Sequence, residues 1–262
     1  MNISLKIIPI LAGIIFLVFL IIPLIAILTS ISFFEIIEKL QTKIVQDSLK
    51  LSLMTASISS TLVFLFATPL SFILARKDFR GKAIIDAIID VPLILPPAVA
   101  GLALLLTFAP NGILGSFLLK IGLVLPGSIW AVILAQIFVA SPFYFRSAKA
   151  AFESVDKRYE ENARLLTKSE TMIFIRIILP LSKIGLISGM IMCWARALGE
   201  FGATLMFAGN IPGVTQTMPV AIYMAMGTDI FASNVLSVIL VIFSFLILII
   251  FRYISRRWNN KF

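Results

Sequence analysis

Two charged side chains, Arg196 and Glu200, stand inside an apolar run. An Arg at the centre of a membrane helix costs about 2.5–3.5 kcal/mol on insertion scales, so such residues face a bundle interior or a wet cavity. Their four-residue spacing puts both on one helix face, in the weaker order for an acid–base pair, which predicts main partners elsewhere. They read either as members of satisfied ion pairs or as a charged collar beside a solute route. Gly199, Gly202, Thr204, Asn210, Thr215 and Gln216 accompany them. Glycine permits bending and close packing, while Asn210, Thr215, Gln216 and Thr217 could donate hydrogen bonds to an oxyanion or to a docking protein. This is recognition chemistry, not bond-making chemistry. The chain has no His and one Cys, Cys193, which excludes an intramolecular disulfide and argues against a His/Cys metal site. There is no G-x-x-x-x-G-K-[ST] phosphate loop, so ATP, if used, is bound by another chain. No cofactor is expected, and no nucleophile–base pair supports a membrane-embedded enzyme.

The longest polar segment is 156–180, DKRYEENARLLTKSETMIFIRIILP. Val155, Tyr159, Asn162/Ala163 and Leu166 recur at three-to-four spacing and predict one face of a helix. Asp156, Lys157, Glu160, Glu161, Arg164 and Lys168 cover the rest. Thr167-Lys168-Ser169 interrupts the pattern, and a second apolar run leads to Pro180. Such a helix either lies in the membrane interface or is gripped by a partner.

These residues must be positioned by elements that live in lipid. The chain is 60% hydrophobic and 13% charged over 262 residues, whereas a soluble domain carries about 25% charged residues. The reading is an all-α integral membrane protein of one domain, 1–262, with six spans near 7–30, 48–75, 84–108, 128–146, 184–207 and 232–251. The first is too long for a signal-peptide core of about 7–15 residues and is read as retained. Segment 35–50 reads as a mixed-charge loop, with Asp47 as N-cap of the second span. That span is dotted with Ser and Thr, which let helices approach closely. The third carries Asp86 and Asp90 in its first turns, where the helix dipole favours anions, and Pro92, Pro96 and Pro97 break its ladder. Segment 113–125 is too short to cross and reads as re-entrant or surface-lying. Trp130 reads as an interfacial anchor for the fourth span. Segment 147–183 is cytoplasmic.

Charge sets the orientation. The net charge is +9, and no basic patch interleaved with aromatics suggests nucleic acid. Under six spans, one side collects Lys6, four cations in 76–82, eight in 146–183, and Arg252, Arg256, Arg257 and Lys261. The other side holds Lys39, Lys43, Lys50 and Lys120. Cytoplasmic loops are enriched in Lys and Arg, so both termini and the polar segment are expected in the cytoplasm of a multi-pass plasma (inner) membrane protein.

Two motifs resemble a known family. Glu161-Asn162-Ala163, three residues, Thr167, nine residues, then Ile177-Ile178-Leu179-Pro180 resembles the coupling loop of ABC importer permeases, Glu-Ala-Ala, three residues, Gly, nine residues, Ile-x-Leu-Pro. Asn162 and Thr167 depart from that pattern. A Gly would allow a left-handed helix end, which β-branched Thr167 resists. The run 196–219, RALGEFGATLMFAGNIPGVTQTMP, resembles the end of the fifth helix and following outer loop of molybdate permeases, with related versions in sulfate and tungstate permeases. Together the likeness covers nearly the whole chain. It implies the type I ABC importer permease fold with a cytoplasmic coupling helix. It also implies a second copy of the chain, two cytoplasmic ATPase subunits, an extracytoplasmic oxyanion-binding protein, and molybdate as cargo, with sulfate and tungstate as alternatives. Tyr159, Glu161, Asn162, Ala163, Leu166, Thr167, Ile177, Leu179 and Pro180 would then couple to the ATPase. An ion-coupled secondary transporter or channel is the rival class. The lack of an internal repeat and of an acidic relay beyond Glu200 stands against it.

Overall fold

The computed structural model describes residues 3–259. Helix is the only regular structure among them. In lipid every backbone polar group must be satisfied internally, and a helix does this within one segment. The side chains of Lys6, Arg252, Arg256 and Arg257, and all of Lys261, lie outside the described residues.

The chain opens with α1 (Ile3–Thr29) and α2 (Phe33–Leu40). Ser32 caps α2 in a capping box with Glu35, and the Ser32 backbone N–H and hydroxyl hold the Glu35 carboxyl below its usual range. Helix α3 (Lys43–Arg76) follows directly. The expected loop at 35–50 is therefore largely helical: Thr42 occupies the N-cap position and Asp47 lies within α3. Its apolar positions already follow helical spacing, which the charges obscured.

The third expected span is two helices, α4 (Lys82–Ile94) and α5 (Pro97–Phe108), bent by 115°. Pro96 forces Leu95 out of the helical region, to φ −65°, ψ 131°, and the consecutive prolines remove two donors. Asp86 and Asp90 sit beyond the first turn of α4, so the helix-dipole account of them fails. Lys149 Nζ lies 2.7 Å from Asp86 Oδ2, and Arg146 Nε lies 2.7 Å from Asp90 Oδ1. Only a short helix, α6 (Gly115–Lys120), forms in 113–125.

Helix α7 (Ile129–Glu153) is the central post. It is capped by Ser128, which accepts from the Ala131 N–H, and Trp130 is half exposed. Along its seam with α3, Ser59 Oγ donates to Gln136 Oε1 at 2.9 Å, and Gln136 Nε2 donates to Thr55 Oγ1 at 3.1 Å. Farther along, the Thr68 and Tyr144 hydroxyls are 2.6 Å apart. The Ser/Thr stripe thus serves helix packing, with Ser52, Thr55, Ser59 and Ser60 all buried.

After α7 come α8 (Arg158–Leu166), α9 (Glu170–Ile173), a π-helical turn at Phe174–Ile178, and α10 (Leu179–Leu181). Next is α11 (Lys183–Leu198), bent by 75° from the preceding helical stretch. The fifth expected span is interrupted at 199–201 and resumes as α12 (Gly202–Ala208). Helix α13 (Met218–Met226), within a stretch read as loop, buries Met218, Val220 and Ala221. Helix α14 (Ile230–Asn259) is the last of the described elements.

Among the described residues four helices are individually long and apolar enough to cross a membrane, and the crossings number up to six if each bent pair is one span. One end of the bundle carries Arg76, the end of α7 and α8. The other carries the start of α3 beside the 209–217 loop, where a Cβ on Gly213 would stand 3.7 Å from Asp47 Oδ2.

Candidate functional site

At the α8 end, the polar segment forms the helix its spacing predicts, but only Val155 and Ala163 of the expected apolar face are buried. Glu160 and Ala163 point into the protein, while Tyr159, Glu161, Asn162 and Leu166 are exposed. Leu165 and Leu166 are 85% and 90% exposed, which leaves two leucines uncovered at the tip of α8. The anchor was not foreseen. Arg76 Nε stands 2.5 Å from Glu160 Oε1, a close charge contact and not an aligned hydrogen bond. Arg76 Nη2 also donates to the Val155 carbonyl at 2.9 Å. Periodicity assigned Glu160 to the outer face because it ranks residues by polarity. Only a cation delivered from another helix makes a buried Glu tolerable.

Thr167 ends α8 in an extended conformation, φ −150°, ψ 145°. The left-handed residue that a Gly would supply is not used, so Thr167 fits without strain. Every positive φ among the described residues belongs to a glycine. Ile177 and Leu179 are half-buried, Pro180 is exposed, and Ile178, the variable position of the motif, is completely buried. Pro180 offers no N–H, and its ring crowds the carbonyl four residues back; the wider π turn before it accommodates both. Ala163, Leu166, Thr167, Met172, Ile173, Arg176 and Ile177 line a cavity of about 200 Å³ beside α8. The rings of Phe72, Phe152 and Phe174 pack within 4.8–6.0 Å of one another beneath the segment.

The second cluster lies at the two helix breaks. Arg196 Nη2 stands 2.7 Å from Glu200 Oε2, so the two pair with each other, contrary to the expectation of partners elsewhere. Glu200 follows the end of α11, and the break frees its carboxylate to turn back on Arg196. The helical order preference does not govern an interrupted helix. Glu200 Oε1 accepts the Ala203 N–H at 2.9 Å and so satisfies a first-turn donor of α12. Glu200 is buried, whereas the Arg196 side chain keeps 28% exposure. Arg196, Pro92, Leu93, Leu95, Pro97, Val139 and Phe143 line a cavity of about 130 Å³ at the α4–α5 kink. Helices α5 and α12 touch through glycines. A Cβ on Gly101 would lie 2.6 Å from Met206 Cβ, and one on Gly202 would lie 2.8 Å from Pro97 Cβ. Gly199 is exposed at the end of α11. Thr204 is buried, and its hydroxyl has no hydrogen-bond partner among the described residues.

Three polar side chains of the 209–217 loop are used on the loop itself, whereas the buried Thr217 hydroxyl has no hydrogen-bond partner among the described residues. Gln216 Nε2 donates to Asn210 Oδ1 at 2.8 Å, and the buried Thr215 hydroxyl accepts the Ile211 N–H at 2.9 Å. Asn210, Thr215 and Gln216 therefore shape the loop, with Gly209 and Gly213 at φ +74°. Lys43, Asp47, Gly213 and Gln216 are among the residues lining an open cleft of about 470 Å³ beside it.

A bundle of long apolar helices, broken at 199–201 where Arg196 meets buried Glu200 and carrying an uncovered amphipathic helix at one end, is that of a polytopic membrane protein. Residues 67–260 match the family model described as the binding-protein-dependent transport system inner membrane component, and the chain belongs to that family. It is 38% identical to the molybdenum transport system permease protein ModB of Mycobacterium bovis, over 92% of this chain and 90% of that one. It is 36% identical to the molybdate/tungstate transport system permease protein WtpB of Pyrococcus abyssi, over 90% of each. Among solved structures, a chain of a bacterial ABC transporter that imports the acidic polysaccharide alginate superposes with a TM-score of 0.77 at 17% identity, covering 97% of this chain and 95% of that one. At that identity the likeness concerns the fold, which is that of an ABC importer permease.

Proposed function

We propose that the chain is the membrane-spanning permease subunit of an ATP-driven importer for molybdate, with tungstate as the second cargo. The observation that carries the cargo is the similarity to ModB and WtpB along nine-tenths of the chain. In this reading two copies form the pathway, two cytoplasmic ATPase subunits grip α8 on each copy, and an extracytoplasmic binding protein docks at the end that bears the 209–217 loop. Both termini are cytoplasmic. The charge asymmetry supports this, as does the meeting of Arg76 with Val155 and Glu160, which brings two basic loops to one end of the bundle.

The mechanism is alternating access. ATP binding draws the ATPases together, α8 follows, and the bundle opens outward. Tyr159, Glu161, Asn162, Leu165 and Leu166, uncovered at the bundle's end, form the surface that the ATPase covers. The kinks at 95–97 and 199–201 are the gate, because irregular backbone at membrane depth survives only where it is buried or lines a cavity. Arg196 is the cation an oxyanion meets there. Its charge is balanced by Glu200, so the anion is passed on and not trapped; a site that conducts must bind weakly enough to release.

The deciding experiment is ATPase stimulation of the reconstituted complex by binding protein loaded in turn with molybdate, tungstate and sulfate. Stimulation by molybdate and tungstate but not sulfate is expected. Stimulation by sulfate alone changes the cargo. Uptake driven by an ion gradient, with no ATPase partner, overturns the class.

A further inference from the structure

The polar segment is joined to the bundle in three ways. Toward α7 it passes through the non-helical turn at 154–157. Toward α11 it passes through a π turn and a 75° bend. Both covalent routes are compliant, because a turn or a bend yields before it transmits a push. The third route is non-covalent and leads into α3, a continuous helix that contains Pro69. Arg76, the last residue of α3, meets Glu160 in the first turn of α8, and both side chains are over nine-tenths buried. Arg76 also binds the Val155 carbonyl within the turn itself. Phe72, one turn earlier on α3, packs against Phe152 and Phe174 on either side of α8.

The pairing is also favourable by helix polarity. A cation suits the C-terminus of α3, and an anion suits the N-terminus of α8. Outside the pair, Arg164 approaches Glu160 at 3.9 Å and is itself held by Glu170 at 2.8 Å. Glu160 thus has Arg76 as its close partner and Arg164 as a distant one. Exposed Glu161, its neighbour, makes no contact with Arg76 among the described residues and acts only on Arg164, through its charge.

We propose that Arg76 and Glu160 are positioning residues that latch α8 to α3, so that displacement of α8 reaches the gate through α3 instead of being absorbed in the turn at 154–157. Helix α3 then carries the motion along its seam with α7, through the Thr68–Tyr144 and Ser59–Gln136–Thr55 contacts. This rests on the reading of α8 as the coupling helix. The latch concerns a different surface from the one that grips the ATPase.

The test uses the complete complex in liposomes, with molybdate as cargo, and reads molybdate imported per ATP hydrolysed. A ratio taken per assembled complex is insensitive to yield, which a merely structural role would lower. Arg76→Gln and Glu160→Gln should each keep the ATPase bound and hydrolysing while imported molybdate per ATP falls about tenfold, within the usual range of coupling between sites. Arg76→Lys should fall between, since one ammonium cannot replace a fork that serves both Glu160 and the Val155 carbonyl. The exchange Arg76→Glu with Glu160→Arg should recover part of the loss. An unchanged ratio in both Gln variants overturns the latch, as does an equal fall in Arg76→Lys and Arg76→Gln with no recovery in the exchange. Glu161→Lys is the separate control. Loss of the bound ATPase there supports α8 as the docking helix, and its retention defeats that reading whatever the Arg76 variants do.

Discussion

Removing Arg196 strands a buried carboxylate. Glu200 Oε1 would keep its hydrogen bond from the Ala203 N–H, but among the described residues Oε2 has only the guanidinium at 2.7 Å. Removing one partner of a buried pair costs about 3–5 kcal/mol. Arg196 retains 28% side-chain exposure, and exposed pairs contribute only about 0–1 kcal/mol, so Arg196→Ala is expected to cost about 2–3 kcal/mol. Glu200→Gln keeps an acceptor for the Ala203 N–H and leaves behind a cation that reaches a cavity, so about 1 kcal/mol is expected. The double variant Arg196→Ala/Glu200→Gln should be more stable than Arg196→Ala alone, because the stranded charge is gone. Reversible unfolding in mixed micelles on the four proteins gives the coupling directly. Molybdate uptake by the same four separates structure from transport. With Arg196 at the kink cavity, uptake should stay low in the double variant although stability returns. Additive stabilities would refute the ion-pair reasoning. Wild-type uptake in the double variant would refute the role of Arg196 beside the solute.

Glu161→Lys should weaken co-purification of the ATPase while membrane insertion is unchanged, since Glu161 is exposed and is no partner of the Arg76–Glu160 pair; undiminished co-purification would sink the docking reading. Gly101→Val should force α5 and α12 apart, because a Cβ there already meets Met206 Cβ at 2.6 Å and the Ala203 carbonyl at 2.8 Å. Overpacking of this kind costs about 1–3 kcal/mol, measurable in the same unfolding assay, and wild-type stability would show that the two helices do not cross there.

Much of the fold was legible because lipid imposes simple rules. Long apolar runs predict α1, α3, α7 and α14, and period-3.6 patterning predicts α8 with its end at Thr167. The failures have specific causes. Helix α2 and the first turn of α3 were hidden by charges, and α13 by the glycines and prolines before it. The bend at Leu95 was signalled by Pro96-Pro97, but its 115° size depends on what packs on either side.

The sequence by itself determined the class of solvent, the long apolar helices, and the kinds of residue at the breaks. These follow from composition and local spacing, which one chain segment expresses alone. Tertiary structure decided the pairings. Arg76 and Glu160 are eighty-four positions apart, so no local pattern connects them, and Glu160 looks like any solvated acid until α3 delivers a guanidinium. Arg196 and Glu200 are neighbours in sequence, yet their contact forms at an interrupted helix whose backbone the spacing rule does not describe. A polar group's worth depends on what surrounds it once water is excluded, and that surrounding exists only after helices distant in sequence have packed.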